Sequence, residues 1–434
     1  MRKSLFKKEV YAERRRRLAA LIPGSAVVLP AWPEFIRNHD TSHKYRQESN
    51  LLYLSGFDEP GSCLVFRPGQ TPETILFVRE KDVERETWDG FRFGPQAAKD
   101  VFGVDEAFII DDFEEKAPQL LRSCDKVYYS LFRNPEFDRK MSEVLKGVAH
   151  LNRRSNPGFP PVEDAYTLLG ELRIHKSEAE VEALKKACSI SALAHQEVFK
   201  AARPGVTERE LHGLFLYSVM KQGAMGEAYG GIFASGVNAV TLHYVFNEDV
   251  LKEGDLFLTD AGAEYLNYSG DITRTYPVGG KFSTPQKELY SGILKVQKEL
   301  IEMCKPGTPF NKLQEHTVEG LSQLMVDLGI LKASKNEVVE KGLYAKYYPH
   351  GVSHLLGLDT HDAGTLSVRS QPRAMEAGWA LTIEPGLYLP HDDESIPEAY
   401  RGIGIRIEDD ILVTQEGPSN MTAEMPKEVA ELER

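Results

Sequence analysis

Asp260 and Asp271 share one stretch, Leu258-Thr-Asp-Ala-Gly-Ala-Glu-Tyr-Leu-Asn-Tyr-Ser-Gly-Asp-Ile-Thr-Arg274. Apolar runs at 255–258 and 272–278 flank it, and Tyr265 and Leu266 sit at its centre. The pattern reads as a β-hairpin. With the turn between residues 265 and 266, the two aspartates fall opposite each other on one face, Cβ atoms roughly 4.5–5.5 Å apart. Like charges so placed are destabilising unless something offsets them, and a divalent cation is the simplest partner. The alternative is that both sit in solvated turns, since Asp-Ala-Gly and Ser-Gly-Asp are turn-like strings.

Of the twelve histidines, four bear on this pair. His243 precedes the hairpin. His350, His354 and His361 crowd into Tyr347-Tyr-Pro-His-Gly-Val-Ser-His-Leu-Leu-Gly-Leu-Asp-Thr-His-Asp362. His350 and His354 have the i, i+4 spacing of a zinc-peptidase helix. That motif needs Glu after the first histidine, and this chain has Gly351. Gly351 and Gly357 also disfavour a helix there. A single histidine is more often structural; three so close together, flanked by glycine, point to chemistry.

Two further carboxylates complete the set. Glu384 ends an apolar strand in Ala380-Leu-Thr-Ile-Glu-Pro-Gly386, where an unpaired buried Glu is costly. Glu408 lies in Gly402-Ile-Gly-Ile-Arg-Ile-Glu-Asp-Asp-Ile411, a period-2 pattern with Arg406 and Glu408 on one face. The alternative there is a half-exposed strand whose charged face meets water. Asp409 and Asp410 read as ordinary strand-end charges. Asp260, Asp271, His354, Glu384 and Glu408 form the candidate ligand set. Oxygen donors dominate, which favours Mn²⁺, with Zn²⁺, Co²⁺ and Fe²⁺ compatible. Four carboxylates hold two divalent ions near charge balance. Such a pair can bridge a water, lower its pKa and stabilise an oxyanion, which equips the chain to hydrolyse an amide without a protein nucleophile. No Gly-x-Ser-x-Gly elbow competes for that role.

The chain must position these residues from distant segments. Its 434 residues allow two or three domains, and 41% hydrophobic and 27% charged residues suit a globular protein. A net charge of −13 argues against nucleic acid or an anionic membrane as partner. There is no apolar run long enough to span a bilayer. Four scattered cysteines, with no Cys-x-x-Cys, suit a reducing compartment, and a cytoplasmic location is expected.

Residues 1–22 read as an amphipathic helix whose basic run is its charged face, anchored by Phe6, Val10, Leu18 and Leu21 and stopped by Pro23-Gly24. An organelle presequence is the alternative. Strands are expected at 26–29, 51–54, 63–66, 74–78, 101–112 and 126–131, and helices at 113–123 and 135–146. Asn156-Pro-Gly-Phe-Pro-Pro161 breaks regular structure. Helices follow at 165–173 and 177–202, the second opened by Ser177-Glu-Ala-Glu180 as a capping box. The expected domains are 1–172 and 173–434. Arg203-Pro-Gly205 ends one helix and Lys305-Pro-Gly307 another, which hints at internal duplication. The four glycines of 226–236 do not spell a phosphate-binding loop. Strands dominate to about 280, helices fill 285–331, and short strands complete the chain.

The order Asp, Asp, His, Glu, Glu resembles the pita-bread metallopeptidases, which include methionine aminopeptidase, prolidase and aminopeptidase P. Asp260-Ala-Gly, Gly270-Asp-Ile-Thr-Arg-Thr, His350-Gly-Val-Ser-His-Leu-Leu-Gly-Leu-Asp-Thr-His-Asp, Thr382-Ile-Glu-Pro-Gly-Leu-Tyr and Gly402-Ile-Gly-Ile-Arg-Ile-Glu-Asp-Asp look most like the aminopeptidase P branch. Arg37-Asn-His-Asp-Thr and Tyr45-Arg-Gln-Glu-Ser-Asn-Leu-Leu-Tyr-Leu-Ser-Gly-Phe-Asp-Glu-Pro60 extend the likeness to the N-terminal region. The resemblance implies an α/β (α+β) fold: a C-terminal pita-bread catalytic domain and a smaller creatinase-like N-terminal domain. It implies a dinuclear site, usually manganese, with Asp260 on one ion, His354 and Glu384 on the other, and Asp271 and Glu408 bridging. The implied reaction removes the N-terminal residue from peptides with proline second. His243 and His361 would contact substrate and stabilise the tetrahedral intermediate. His350 would shape the proline side of the pocket, Glu384 would take a proton from the bridging water, and Arg406 and Tyr388 would orient the ligands. A homo-oligomer, dimer or tetramer, is implied as well. Prolidase, restricted to dipeptides, and a non-enzymatic interaction protein on the same scaffold are the competing readings.

Overall fold

The computed structural model describes residues 4–154 and 158–433, and the chain divides into two units, Met1–Leu172 and Arg173–Arg434. Residues 1–3 of the expected first helix, and Asn156 and Pro157 of the Pro-rich string, lie outside the described residues.

The first unit is built on a six-stranded sheet. Its spatial order is Glu106–Ile109, Thr74–Val78, Cys63–Phe66, Ala26–Pro30, Val127–Tyr128 and Val162–Glu163. The central strands run antiparallel and the outer ones parallel. Three of them, Cys63–Phe66, Thr74–Val78 and most of Ala26–Pro30, are buried on both faces, which is why they read as unbroken apolar runs. Val28, Val65 and Phe77 pack with Phe113, Met141 and Val144 from the helices Phe113–Leu121 and Pro135–Asn152.

Three expectations fail here. Residues 51–54 are not a strand but the middle of a helix, Ser49–Ser55, capped by the Glu48 carboxylate on Leu51 N–H at 2.7 Å and closed by Gly56 at φ 71°. Four apolar residues carry too little periodicity to separate the two states. Residues 101–112 split into a helix end at Phe102, the strand Glu106–Ile109 and a 3₁₀ turn. In the first helix, Lys8–Leu21, the basic run is not simply a solvated face. Arg14 and Arg15 are buried and donate to the carbonyls of Tyr53 at 3.0 Å and Leu54 at 2.8 Å, while the expected anchor Leu21 is exposed. Those carbonyls belong to the last turn of Ser49–Ser55, which has no intrahelical donor for them.

The second unit opens with the helices Glu178–Ala201 and Glu208–Lys221, each started by the capping box its sequence spells: Ser177 with Glu180, and Thr207 with Glu210. The strands Ile232–Ser235, Leu256–Asp260 and Thr273–Pro277 form one antiparallel sheet. The helices Thr284–Met303 and Asn311–Asp327 follow, then a second sheet of Ala380–Ile383, Asp409–Thr414 and Gly417–Asn420. One core runs through both halves, with Phe257 and Tyr276 from the first sheet and Leu381 and Ile411 from the second among its members. The two Pro-Gly elbows are built alike. Gly205 at φ 87° donates to Leu251 and Gly307 at φ 90° to Met375, each at 2.9 Å, beside the bridges Thr207–Val250 and Pro309–Ala374.

The hairpin forms, with a register different from the expected one. Tyr265 pairs with Tyr268, so the turn is Leu266-Asn267, both at positive φ (51° and 66°), as a type I′ turn requires. Asp260 therefore opposes Thr273, not Asp271. A two-residue shift keeps every side chain on its face, so the aspartates still share a surface.

Candidate metal centre

Asp260 ends the strand Leu256–Asp260. Beyond it the hairpin strands close backbone to backbone: a Cβ on Gly262 would fall 1.6 Å from the Gly270 carbonyl oxygen. Only glycine fits there, and the crossing brings Asp271 beside Asp260. The Tyr229 hydroxyl lies between them, 2.6 Å from Asp260 Oδ1 and hydrogen-bonded also to Asp271 Oδ1. The backbone N–H of Asp271 donates to Asp410 Oδ2 at 2.9 Å.

The histidine segment forms no helix. It runs alongside the strand Ala380–Ile383: Leu356 N–H donates to Ala380, Thr382 to His354 and Glu384 to Val352, at 2.9–3.0 Å. This pairing sets His354 beside Glu384. His354 Nδ1 faces the Leu355 carbonyl at 3.0 Å, which leaves Nε2 3.5 Å from Asp271 Oδ2 and 3.8 Å from Glu384 Oε1. Glu408 is buried, its Oε2 accepting from Thr273 Oγ1 at 2.6 Å. Asp271, His354 and Glu408 present ligand atoms within 4.8 Å of one another.

Arg406 is buried, so the solvated-face alternative for its strand fails. Its guanidinium is a three-way brace: Nη2 to Asp260 Oδ2, Nε to Thr273 Oγ1 at 3.1 Å and Nη1 to the Tyr388 hydroxyl at 2.9 Å. That hydroxyl meets His350 Nε2 at 2.9 Å, while His350 Nδ1 lies 2.8 Å from the Gly351 carbonyl. A proton on Nδ1 leaves Nε2 to accept from Tyr388, giving one direction to the chain from Arg406 through Tyr388 to His350. His361 sits ring to ring with His354, centroids 4.3 Å apart. Asp260, Asp271, His243, His350, His354, His361, Glu384, Tyr388, Arg406 and Glu408 all line one cavity of about 760 Å³.

Asp409 and Asp410 are not strand-end surface charges, as their position suggested; both are fully buried. Asp409 pairs with Arg274 at 2.6 Å and with Lys427. Asp410 takes the Asp271 N–H and lies 3.1 Å from Cys188 Sγ. Their partners come from elsewhere in the chain, so local pattern could not reveal them. Tyr229 also escaped notice, as one aromatic in a glycine-rich loop without periodicity.

Electrostatics single out the carboxylate cluster. Burial, reinforced by the charges of Asp271 and Glu384, pushes Glu408 well above the usual carboxylate range. Burial raises Glu384 to about 7 against the pull of His354 and Arg406. Burial opposes a charge on His354, but Asp271 outweighs it and holds the imidazole up at about 9. Burial lowers His350 to about 4, which suits its neutral, accepting role.

The model for metallopeptidase family M24 matches residues 182–415. The chain belongs to that family. The M24 match is joined by one for the aminopeptidase P N-terminal domain over residues 11–128, so the fold is an α/β one, an M24 catalytic domain with an N-terminal domain of that type. A Xaa-Pro aminopeptidase of Haemophilus influenzae is 38% identical over 428 residues, covering 98% of this chain and 96% of its own. Among solved structures, aminopeptidase PepP of Pseudomonas aeruginosa is similar at a TM-score of 0.95 and 40% identity, over 98% of this chain and 97% of that one. Zinc-substituted aminopeptidase P of Escherichia coli in complex with product gives 0.93 and 37%, over 98% and 97%. The M24 residues of this chain fit a metal: buried like-charged carboxylates, an imidazole nitrogen aimed among them and too few cations beside them. Arg406 and His354 alone do not balance four acids.

Proposed function

We propose that this chain is a dinuclear metallo-aminopeptidase that removes the N-terminal residue from peptides carrying proline second. The observation that carries the reading is the convergence of Asp260, Asp271, His354, Glu384 and Glu408 on one cavity that three more histidines line. Those five residues would hold the ions. Their oxygen-rich set favours manganese, with zinc, cobalt or iron(II) compatible. When bound, the ions supply Lewis-acid polarisation of the peptide carbonyl and a water acidified enough to attack it.

The chain's own groups do the rest. Glu384, beside His354 at the cavity wall, would take up a proton from the attacking water and pass it towards the leaving amine. His243 and His361 border the cavity as donors to a developing oxyanion. Arg406 holds Asp260 and Tyr388 fixed, and Tyr388 in turn orients His350 on the proline side. The names of the relatives support aminopeptidase over prolidase. The four cysteines are free thiols, in keeping with a reducing compartment such as the cytoplasm, and no described helix is long and apolar enough to cross a membrane. A homo-oligomer is part of the reading, to be measured by light scattering.

The test is cleavage by manganese-reconstituted protein of a tripeptide Xaa-Pro-Yaa against the dipeptide Xaa-Pro. Release of Xaa from the tripeptide is expected. Cleavage of the dipeptide alone would assign a prolidase, and cleavage of neither would overturn the peptidase reading.

A further inference from the structure

The segment from Ser235 to Asp249 carries His243 and Val245 to the cavity wall, yet most of it is surface. Thr241, His243, Val245 and Phe246 are exposed, and the His243 side chain has no hydrogen-bond partner among the described residues. Something else must fix where this histidine stands.

Glu208, the first residue of the helix Glu208–Lys221, is fully buried beneath the segment. Its carboxylate accepts five hydrogen bonds, all from that segment. Oε1 takes Ser235 N–H at 2.7 Å, Ser235 Oγ at 2.8 Å and Asn238 Nδ2 at 3.1 Å. Oε2 takes the Tyr244 hydroxyl and the Asp249 N–H, each at 2.9 Å. The Glu208 N–H returns a bond to the Asp249 carbonyl at 2.9 Å. One side chain thus ties both ends and the middle of the segment, including the residue next to His243. A second anchor, the buried Asn247, joins it to the strand below through Phe233 N–H at 3.0 Å and the Gly231 carbonyl at 2.9 Å. The Asn247 bonds hold one end; those of Glu208 span the whole.

We propose that Glu208 is a positioning residue for the peptidase reaction, holding His243 at the cavity wall through the segment it anchors. It touches no reacting atom. A carboxylate suits the place because it offers acceptors only, and five donors converge on it. An amide would turn one of its two polar atoms into a donor facing donors. The inference rests on the function proposed above and on the role given there to His243.

The experiment is a double-mutant cycle of Glu208→Gln with His243→Ala, read as KM and kcat on a Xaa-Pro-Yaa peptide, with calorimetric binding of a Pro-Yaa dipeptide as a readout that needs no turnover. Glu208→Gln is expected to lower kcat about tenfold, because it displaces the donor to the developing oxyanion, and to raise the dipeptide Kd, because the wall it disorders also lines the peptide cavity. In the His243→Ala background the same substitution should change kcat/KM by less than about threefold, since residues that act as one unit are not additive. A full effect in that background, or an unchanged kcat and Kd, overturns the proposal. If Glu208→Gln does not fold, Tyr244→Phe removes one of the five donors and is read by the same cycle, with a smaller shift in the same direction expected. If wild type fails to cleave but binds the dipeptide, and Glu208→Gln weakens that binding, the activity assignment falls while the positioning role stands.

Discussion

At the scale of single residues, the site depends on acids that would repel one another without a counter-charge. Asp271 meets Tyr229, His354 and the Asp410 carboxylate that takes its N–H. Asp271→Ala should lose at least about 10³-fold in kcat/KM on a Xaa-Pro-Yaa peptide, since both water activation and oxyanion stabilisation go with it; unchanged activity would exclude the two-ion mechanism. Tyr229 touches two of the proposed ligands through one hydroxyl. Tyr229→Phe should weaken metal affinity by about 10–100-fold, the range for partners that orient ligands, measured by calorimetric titration. The five proposed ligands were readable in the sequence because each is a charged or metal-binding side chain placed where a strand or glycine-rich loop gives it no ordinary task. Tyr229 and Asp410 were not, because nothing local marks them: their roles exist only once the hairpin and the strand Asp409–Thr414 lie side by side.

At the scale of elements, two junctions set the site's geometry. The first is the hairpin crossing. Gly262→Ala puts a methyl into the Gly270 carbonyl, and backbone cannot step aside as a side chain can. A loss of about 1–3 kcal/mol is expected from overpacking, read by urea denaturation, together with lost activity as Asp260 and Asp271 part. The second junction fastens the histidine segment. The Asp362 side chain, 1% exposed, pairs with Arg173 and with Lys176 at 2.8 Å. Burial raises its carboxyl, but the two cations outweigh that and hold it below its ordinary value. Its stabilisation is therefore complete above the unfolded pKa of about 3.9 and is lost as pH falls from there towards the lower folded value. Asp362→Asn, which leaves buried Lys176 without a carboxylate partner and Arg173 with Asp359 alone, should cost about 3–5 kcal/mol at neutral pH and flatten that acid-side slope. Thermal melts of both proteins between pH 3 and 7 check it. Elements with explicit local chemistry were legible. The capping box at Ser177 and the breaks after Ala201 and Met303 follow from residue type. The helix Ser49–Ser55 was hidden by its brevity, and the hairpin register by Leu266, an unusual residue at a positive-φ turn position where Asn or Gly would have announced itself.

At the scale of the whole molecule, the second unit folds around a site that resists its own assembly, so bound metal should act as a stabiliser. With free ion at about 100 times Kd the linkage is about 2.7 kcal/mol, and the catalytic unit's melting transition should rise by about 5–10 °C over chelator-treated protein. A chelator that leaves the melt unmoved would show that the acids are satisfied without cations. The hairpin crossing bears on which cations those are. Where Gly262 meets Gly270, the spacing of one pair of acids is dictated by main chain pressed on main chain, whereas His354 stands on a segment without regular secondary structure, joined to residues 380–384 by three backbone hydrogen bonds. Like a vice with one fixed jaw, the cleft can adapt to a larger or smaller ionic radius only from the histidine side. An exchange of metals should therefore register first as displacement of that segment, while the hairpin stays where it is.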